Sequence, residues 1–163
     1  MSIEIVTATL KDLDRLRALR LAALKDAPAA FGAKYEDESK KPESEWIDRL
    51  KNTNWCFAVA DGVDIGLMAV DRAEKDRNSD CWLSSWWLSE GFRGSGIPKL
   101  MLNWVEQLCI ENNWEKIGLG VWPENLRARA AYKKLGFIEA DKPLPSRSIP
   151  GQMYLAMYRN IGA

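Results

Sequence analysis

Apolar residues recur along the chain with two different periods, and the switches between them mark the elements. Ile3 and Ile5 alternate with polar neighbours, the period of a half-buried strand. Leu13, Leu16, Leu19 and Ala23 then follow at helical steps. Thr9, with Asp12 three residues on, supplies an N-cap pair for that helix, and Pro28 ends it or follows its end. Residues 29–41 carry no period and read as loop or irregular turn, with Phe31 and Tyr35 beside the acidic run Glu36-Asp37-Glu38. A second helix fits residues 43–51, with Trp46, Ile47 and Leu50 on one side. Asn54–Ala60 reads as a strand, Asp61-Gly62 as a turn, and residues 65–70 as the return strand of a hairpin. The charged residues 72–80 form a solvated connection.

Cys81–Leu88 (CWLSSWWL) lacks a helical charge pattern and reads as an aromatic strand. After it Ile97, Leu100, Met101, Trp104, Val105 and Leu108 recur at three- and four-residue steps, which predicts a long half-buried helix. Residues 116–122 form the next strand, ended by Pro123. Residues 125–135 form a helix, with Gly136 placed as its C-terminal cap. A strand starts over 137–140, prolines 143, 145 and 150 punctuate a loop, and residues 153–158 make the last strand. There is no repeat or low-complexity segment. The class is mixed α/β on one sheet, as a single domain over residues 1–163.

Composition narrows the function. The chain has 163 residues, 47% of them hydrophobic, enough for a sizeable core. Lys plus Arg and Asp plus Glu balance at 23 each, so no net field recruits nucleic acid or an anionic membrane. No apolar run approaches ~20 residues and no signal peptide precedes the first strand, so a soluble, cytoplasmic protein is expected. Cys56, Cys81 and Cys109 are odd in number and lack metal-ligand spacing, so buried thiols are expected and no metal site. Histidine is absent altogether, which excludes Ser-His-Asp and Cys-His catalysis and removes the commonest general base near neutral pH.

The stretch between the aromatic strand and the long helix carries the first chemistry. Gly91, Gly94 and Gly96, with Arg93 and Ser95, form a glycine-rich turn that opens a helix. The first N–H groups of a helix lack internal partners and its dipole favours anions, so phosphate is the expected guest. Gly91 to Gly96 has the glycine spacing of a nucleotide P-loop, but Ile97 stands where the lysine must be. A dinucleotide fingerprint starts at Gly94 and meets Lys99 at its third glycine. A turn that only connects two elements is the alternative.

A second constellation lies 25 residues after Gly96. Val121, Asn125, Ala128, Ala131, Tyr132, Lys134, Leu135, Gly136 and Phe137 follow one another across a strand end and a helix. Asn125 and Tyr132 are seven residues apart, within ~20° of one another around a helix. Small Ala128 lies between them and would let a ligand approach. A helix cap at Asn125 and a core tyrosine at Tyr132 are the alternatives.

Together the two stretches resemble a known family. Arg93-Gly94-Ser95-Gly96-Ile97-Pro98 is similar to the Q/R-x-x-G-x-G/A coenzyme A pyrophosphate loop of the GNAT superfamily of N-acetyltransferases. The second stretch resembles that superfamily's VxxxNxxAxxLYxKLGF pattern, with Ala131 where leucine is commoner. The resemblance implies a mostly antiparallel sheet of about six to seven strands flanked by about four helices, with two central parallel strands splayed at the cofactor site. It implies transfer of an acetyl group from acetyl-CoA to an amine. Trp86 and Leu88 would pair by their backbones with the pantetheine arm. Arg93, Gly94, Ser95, Gly96, Ile97 and Lys99 would hold the pyrophosphate, and Asn125 would bond the pantetheine. Tyr132 would contact the coenzyme and protonate its departing thiolate.

Two departures from that pattern stand out. Pro98 replaces the usual final glycine or alanine and removes one N–H, which predicts weaker coenzyme binding. Trp82 stands where one branch of the family carries a glutamate base, so the base stays unassigned, with ordered water or Glu36, Asp37 or Glu38 as candidates. In the family, the segments over residues 29–45 and 142–152 would shape the acceptor pocket, and Phe31, Tyr35 and the acidic run suit a small cationic or aromatic amine. The expected partner is a small-molecule amine. A protein or peptide N-acetyltransferase and a non-catalytic coenzyme A-binding module are the alternatives. Eight tryptophans also allow a homodimer interface.

Overall fold

The computed structural model describes residues 1–163. Its helices are α1 (Leu13–Asp26), α2 (Tyr35–Ser39), α3 (Glu43–Asn52), α4 (Ile97–Asn112) and α5 (Leu126–Lys134). Its strands are β1 (Ile3–Thr7), β2 (Asn54–Ala60), β3 (Val63–Arg72), β4 (Cys81–Leu88), β5 (Lys116–Val121), β6 (Ile138–Glu139), β7 (Leu144–Pro145) and β8 (Met153–Asn160). The eight strands run in the order β1-β2-β3-β4-β5-β8-β6, with β7 on β8, and β4–β5 is a parallel pair in a mostly antiparallel sheet. The mixed α/β expectation therefore holds. The strand expected over 137–140 forms as β6, and the extra elements, β7 and α2, carry too few residues to show a period. No helix is long and apolar enough to cross a membrane.

Two compact units make up the chain, residues 1–70 with 85–102 and residues 71–84 with 103–163. In the first, Leu16, Leu19 and Ala23 of α1 join Trp46 of α3, Trp55 and Phe57 of β2, and Leu67 and Ala69 of β3 in one cluster. The helical spacing of α1 and the alternation of β2 and β3 bring these residues to one face each. Thr9 and Asp12 do pair, but not as the cap foreseen. The Asp12 carboxylate accepts from the Thr9 N–H at 2.7 Å and closes a turn, while no side chain caps α1.

The acidic run changes meaning in three dimensions. Glu36 and Asp37 are exposed on α2, whereas Glu38 is buried. Arg49 donates to both Glu38 oxygens, at 2.8 and 3.3 Å, and Arg20 Nε lies 3.6 Å away. A carboxylate held between two guanidiniums does not attract a further cation. Glu38 thus serves the fold and drops out as a site for a cationic acceptor. Glu38→Gln would leave two part-desolvated cations facing a neutral amide. The expected cost is about 3 kcal/mol, read as a lower denaturant midpoint, with turnover of the folded fraction unchanged.

The second unit is built on β5 and β8, paired from Lys116 with Asn160 to Val121 with Leu155. The tryptophans supply no exposed patch anywhere. Trp46, Trp55 and Trp114 are buried and the other five are half-buried.

Candidate active site

The glycine loop belongs to the first unit. Gly94 takes φ +74°, a backbone conformation that side chains disfavour, and so turns the chain into α4. Ser95 closes the turn. Its hydroxyl donates to the Phe92 carbonyl at 2.5 Å and accepts from the Ile97 N–H at 3.3 Å. The Ile97 side chain is buried and anchors the first helical turn. The backbone N–H groups of Gly94, Ser95, Gly96 and Lys99 take no acceptor from the chain. A Cβ built at Gly91, Gly94 or Gly96 would meet nothing within 4 Å, so the space over the loop is open. The Lys99 ammonium forms no ion pair. Unpaired amides, a helix N-terminus, open space and a free cation suit the diphosphate of coenzyme A.

The flanking residues hold this loop in place. Arg93 Nε donates to the Leu88 carbonyl at 2.8 Å, and Arg93 also pairs with Asp26 at the end of α1. Trp87 Nε1 donates to the same Asp26 carboxylate at 2.9 Å. The bonds from Trp87 and then Arg93 hold Asp26 below the usual carboxylate range. The Arg93 guanidinium is thus a strap from β4 to α1. The Leu88 carbonyl, one of the backbone groups expected to face pantetheine, already has a partner. Trp86 is half-buried one residue past Ser85, which sits at φ +53°. A non-glycine residue there costs on the order of 1 kcal/mol and marks an irregularity in the strand. The β4–β5 ladder itself covers only Cys81–Ile117, Trp82–Gly118 and Leu83–Leu119. Gly120 and Val121 pair with Ala156 and Leu155 of β8.

Asn125 and Tyr132 belong to the second unit. Asn125 is the N-cap of α5, its Oδ1 accepting from the Ala128 N–H at 3.2 Å. Its NH2 group has no protein partner and stays free to donate. Tyr132 is placed by the end of the same helix. Gly136, at φ +95°, lets the Phe137 N–H bond the Tyr132 carbonyl at 3.0 Å and the Gly136 N–H bond the Lys133 carbonyl at 3.0 Å. This is the C-terminal motif in which the residue after glycine packs back on the last turn. Phe137 does so on Tyr132, edge to face with ring centroids 6.0 Å apart. Lys-Leu-Gly-Phe therefore fixes the tyrosine ring. Burial pushes the Tyr132 phenol up to about 12, so it stays protonated at any physiological pH.

Arg129, on the same face as Asn125 and Tyr132 by its spacing, clamps α5. It donates to both oxygens of Glu139 on β6, at 2.8 and 3.1 Å, and to the Pro123 carbonyl at 2.7 Å. Arg129 first, and then Lys133, hold the Glu139 carboxylate down to about 2. Because the folded value lies below the ordinary 4.5, the stabilisation is present above pH 4.5. It is lost as pH falls from there towards about 2. Glu139→Gln is expected to lower stability above pH 4.5 and leave it little changed near pH 2, so that the acid limb flattens in that window, which a Tm-versus-pH series would read.

The first unit thus carries an amide-lined loop after an irregular strand, and the second a capped helix with Asn125 and Tyr132. Comparison with known proteins supplies the class. The model of the acetyltransferase (GNAT) family matches residues 17–137, and the chain belongs to that family, an acyltransferase. N-acetylaspartate synthetase of Danio rerio is 31% identical over 90 residues, which cover 54% of this chain and 31% of that protein. The chain thus spans less than a third of that relative's length. A GNAT-family acetyltransferase from Streptococcus pneumoniae superposes with a TM-score of 0.76 at 18% identity, covering 99% of this chain and 100% of its own. The PaiA N-acetyltransferase of Thermoplasma acidophilum, solved with coenzyme A, superposes at 0.70 and 20% identity over 98% and 99% of the two chains.

Proposed function

We propose that the chain is a single catalytic domain that transfers acetyl from acetyl-CoA to the primary amine of a small molecule, by direct attack in a ternary complex. The observation that carries this reading is the open loop with unpaired N–H groups at Gly94, Ser95, Gly96 and Lys99. These amides and the Lys99 ammonium hold the diphosphate, and Arg93 keeps the loop in shape. The Asn125 NH2 group donates to the pantetheine arm, which lies along the backbone of Trp86 and Leu88. When bound, acetyl-CoA supplies an acetyl group activated as a thioester.

Tyr132 serves the leaving group. A phenol near 12 is a weaker acid than an ordinary thiol at ~8.5, so outright loss of its proton to sulfur is uphill. Its hydrogen bond stabilises the sulfur as negative charge grows there. The N–H proton that the amine loses on forming the amide balances the thiol. Alignment of two bound substrates supplies most of the rate, and no covalent enzyme intermediate is needed. Release of free thiol from acetyl-CoA across an amine panel tests the reading. Strong release with at least one small amine is expected. Thiol release with peptide amines alone, or a stable acetylated enzyme formed from acetyl-CoA alone, would overturn it.

A further inference from the structure

One arginine in the second unit is built into its surroundings but given no counter-ion. Arg77 lies in the connection before β4, its backbone fixed by the Tyr158 hydroxyl, which donates to the Arg77 carbonyl at 2.8 Å. Its guanidinium stacks on Trp82, 4.2 Å from the ring centroid, and lies 5.4 Å from that of Tyr154. Arg77 Nη1 donates to the Tyr154 hydroxyl at 2.6 Å. The two rings meet edge to face at 6.2 Å and 81°. Trp82 can lie there because β5 is bare beneath it. A Cβ at Gly118 would come within 2.8 Å of the Trp82 ring, and one at Gly120 within 2.9 Å of Tyr154.

Three carboxylates close to Arg77 in the chain are engaged elsewhere. Glu74 and Asp76, in the same connection, both pair with Arg147. Asp80 accepts from the N–H groups of Glu115 and Lys116, each at 2.8 Å. Arg77 therefore keeps most of its five N–H donors on a rigid aromatic seat, in the fork geometry that matches a carboxylate. Trp82 sits one rung before the β4–β5 ladder ends at Leu83 and Leu119.

We propose that Arg77, seated between Trp82 and Tyr154, anchors a carboxylate on the acceptor, so that the acceptor is a small amino acid rather than a simple amine. The inference rests on the acetyl-transfer reading and names its substrate class. It also replaces the cationic preference first drawn from the acidic run, since Glu38 is neutralised by Arg20 and Arg49. A guanidinium that merely covered Trp82 would matter equally for every acceptor.

The test pairs amino acids with their decarboxylated amines, for example phenylalanine with phenethylamine and lysine with cadaverine. The wild type is expected to show at least about a tenfold higher kcat/KM for the carboxylate member. Arg77→Gln should bring that ratio close to one, through a raised KM for the amino acid. Arg77→Lys should restore it only in part, because the bidentate fork is lost. A wild-type ratio of one or below, or an equal loss on both members in Arg77→Gln, would overturn the proposal. A second readout needs no turnover. In 15N NMR of arginine Nε–H groups, N-acetylphenylalanine should shift the Arg77 resonance and N-acetylphenethylamine should not. A shift without acetylation of any amine would sink the acetyl-transfer reading and keep the carboxylate site. Acetylation without a shift would do the reverse.

Discussion

Tyr132→Phe is expected to lower kcat by about a hundredfold while leaving the dissociation constant for coenzyme A within a factor of two. The magnitude is that of removing one hydrogen-bond donor aimed at developing charge. The ring itself should not move, because Phe137 packs on its face and the Gly136 turn holds the backbone, and neither contact uses the hydroxyl. The pH profile adds a second check. With its phenol near 12, Tyr132 does not titrate between pH 6 and 9, so the variant should lose amplitude without moving either limb. Pre-steady-state thiol release would separate chemistry from product release. An unchanged kcat would remove Tyr132 from the mechanism.

Gly96→Asp should separate stability from ligand binding, with opposite signs. Gly96 has ordinary backbone geometry, and open space where its Cβ would stand. It directly precedes α4, where an aspartate accepts from the first N–H groups and complements the helix dipole. Stability should therefore hold or rise by up to about 1 kcal/mol. The same carboxylate would occupy the amides offered to the diphosphate and repel it. Affinity for coenzyme A is expected to fall about a hundredfold, roughly 3 kcal/mol, as read by calorimetry. A variant that was more stable and still bound coenzyme A at wild-type strength would show that the diphosphate does not use this loop.

Much of this was legible from the residues because the relevant physics is local. Gly94, Ser95 and Gly96 make a turn with unpaired amides through the φ of one residue and the unpaired start of one helix, both set within a few positions. Asn125 caps α5, and the Lys-Leu-Gly-Phe run ends it, by contacts no more than five residues apart, so that pattern also survives intact. Short elements fared worse. The five residues of α2 and the two-residue strand β7 form on their neighbours rather than by their own period.

The sequence by itself determined the family and the order of the main elements. Only the tertiary structure decided what the charged groups do. Arg93 meets Asp26 across 67 positions, Glu38 meets Arg49 across 11, and Arg77 meets Tyr154 across 77. Spacing cannot encode such pairs, since a charge near a glycine loop looks free until folding supplies its partner. The same limit hid Arg77, whose value lies in carboxylates that other residues consume. Chain-local hydrogen bonds are written in the order of residues, whereas counter-ions are assigned only when distant segments pack.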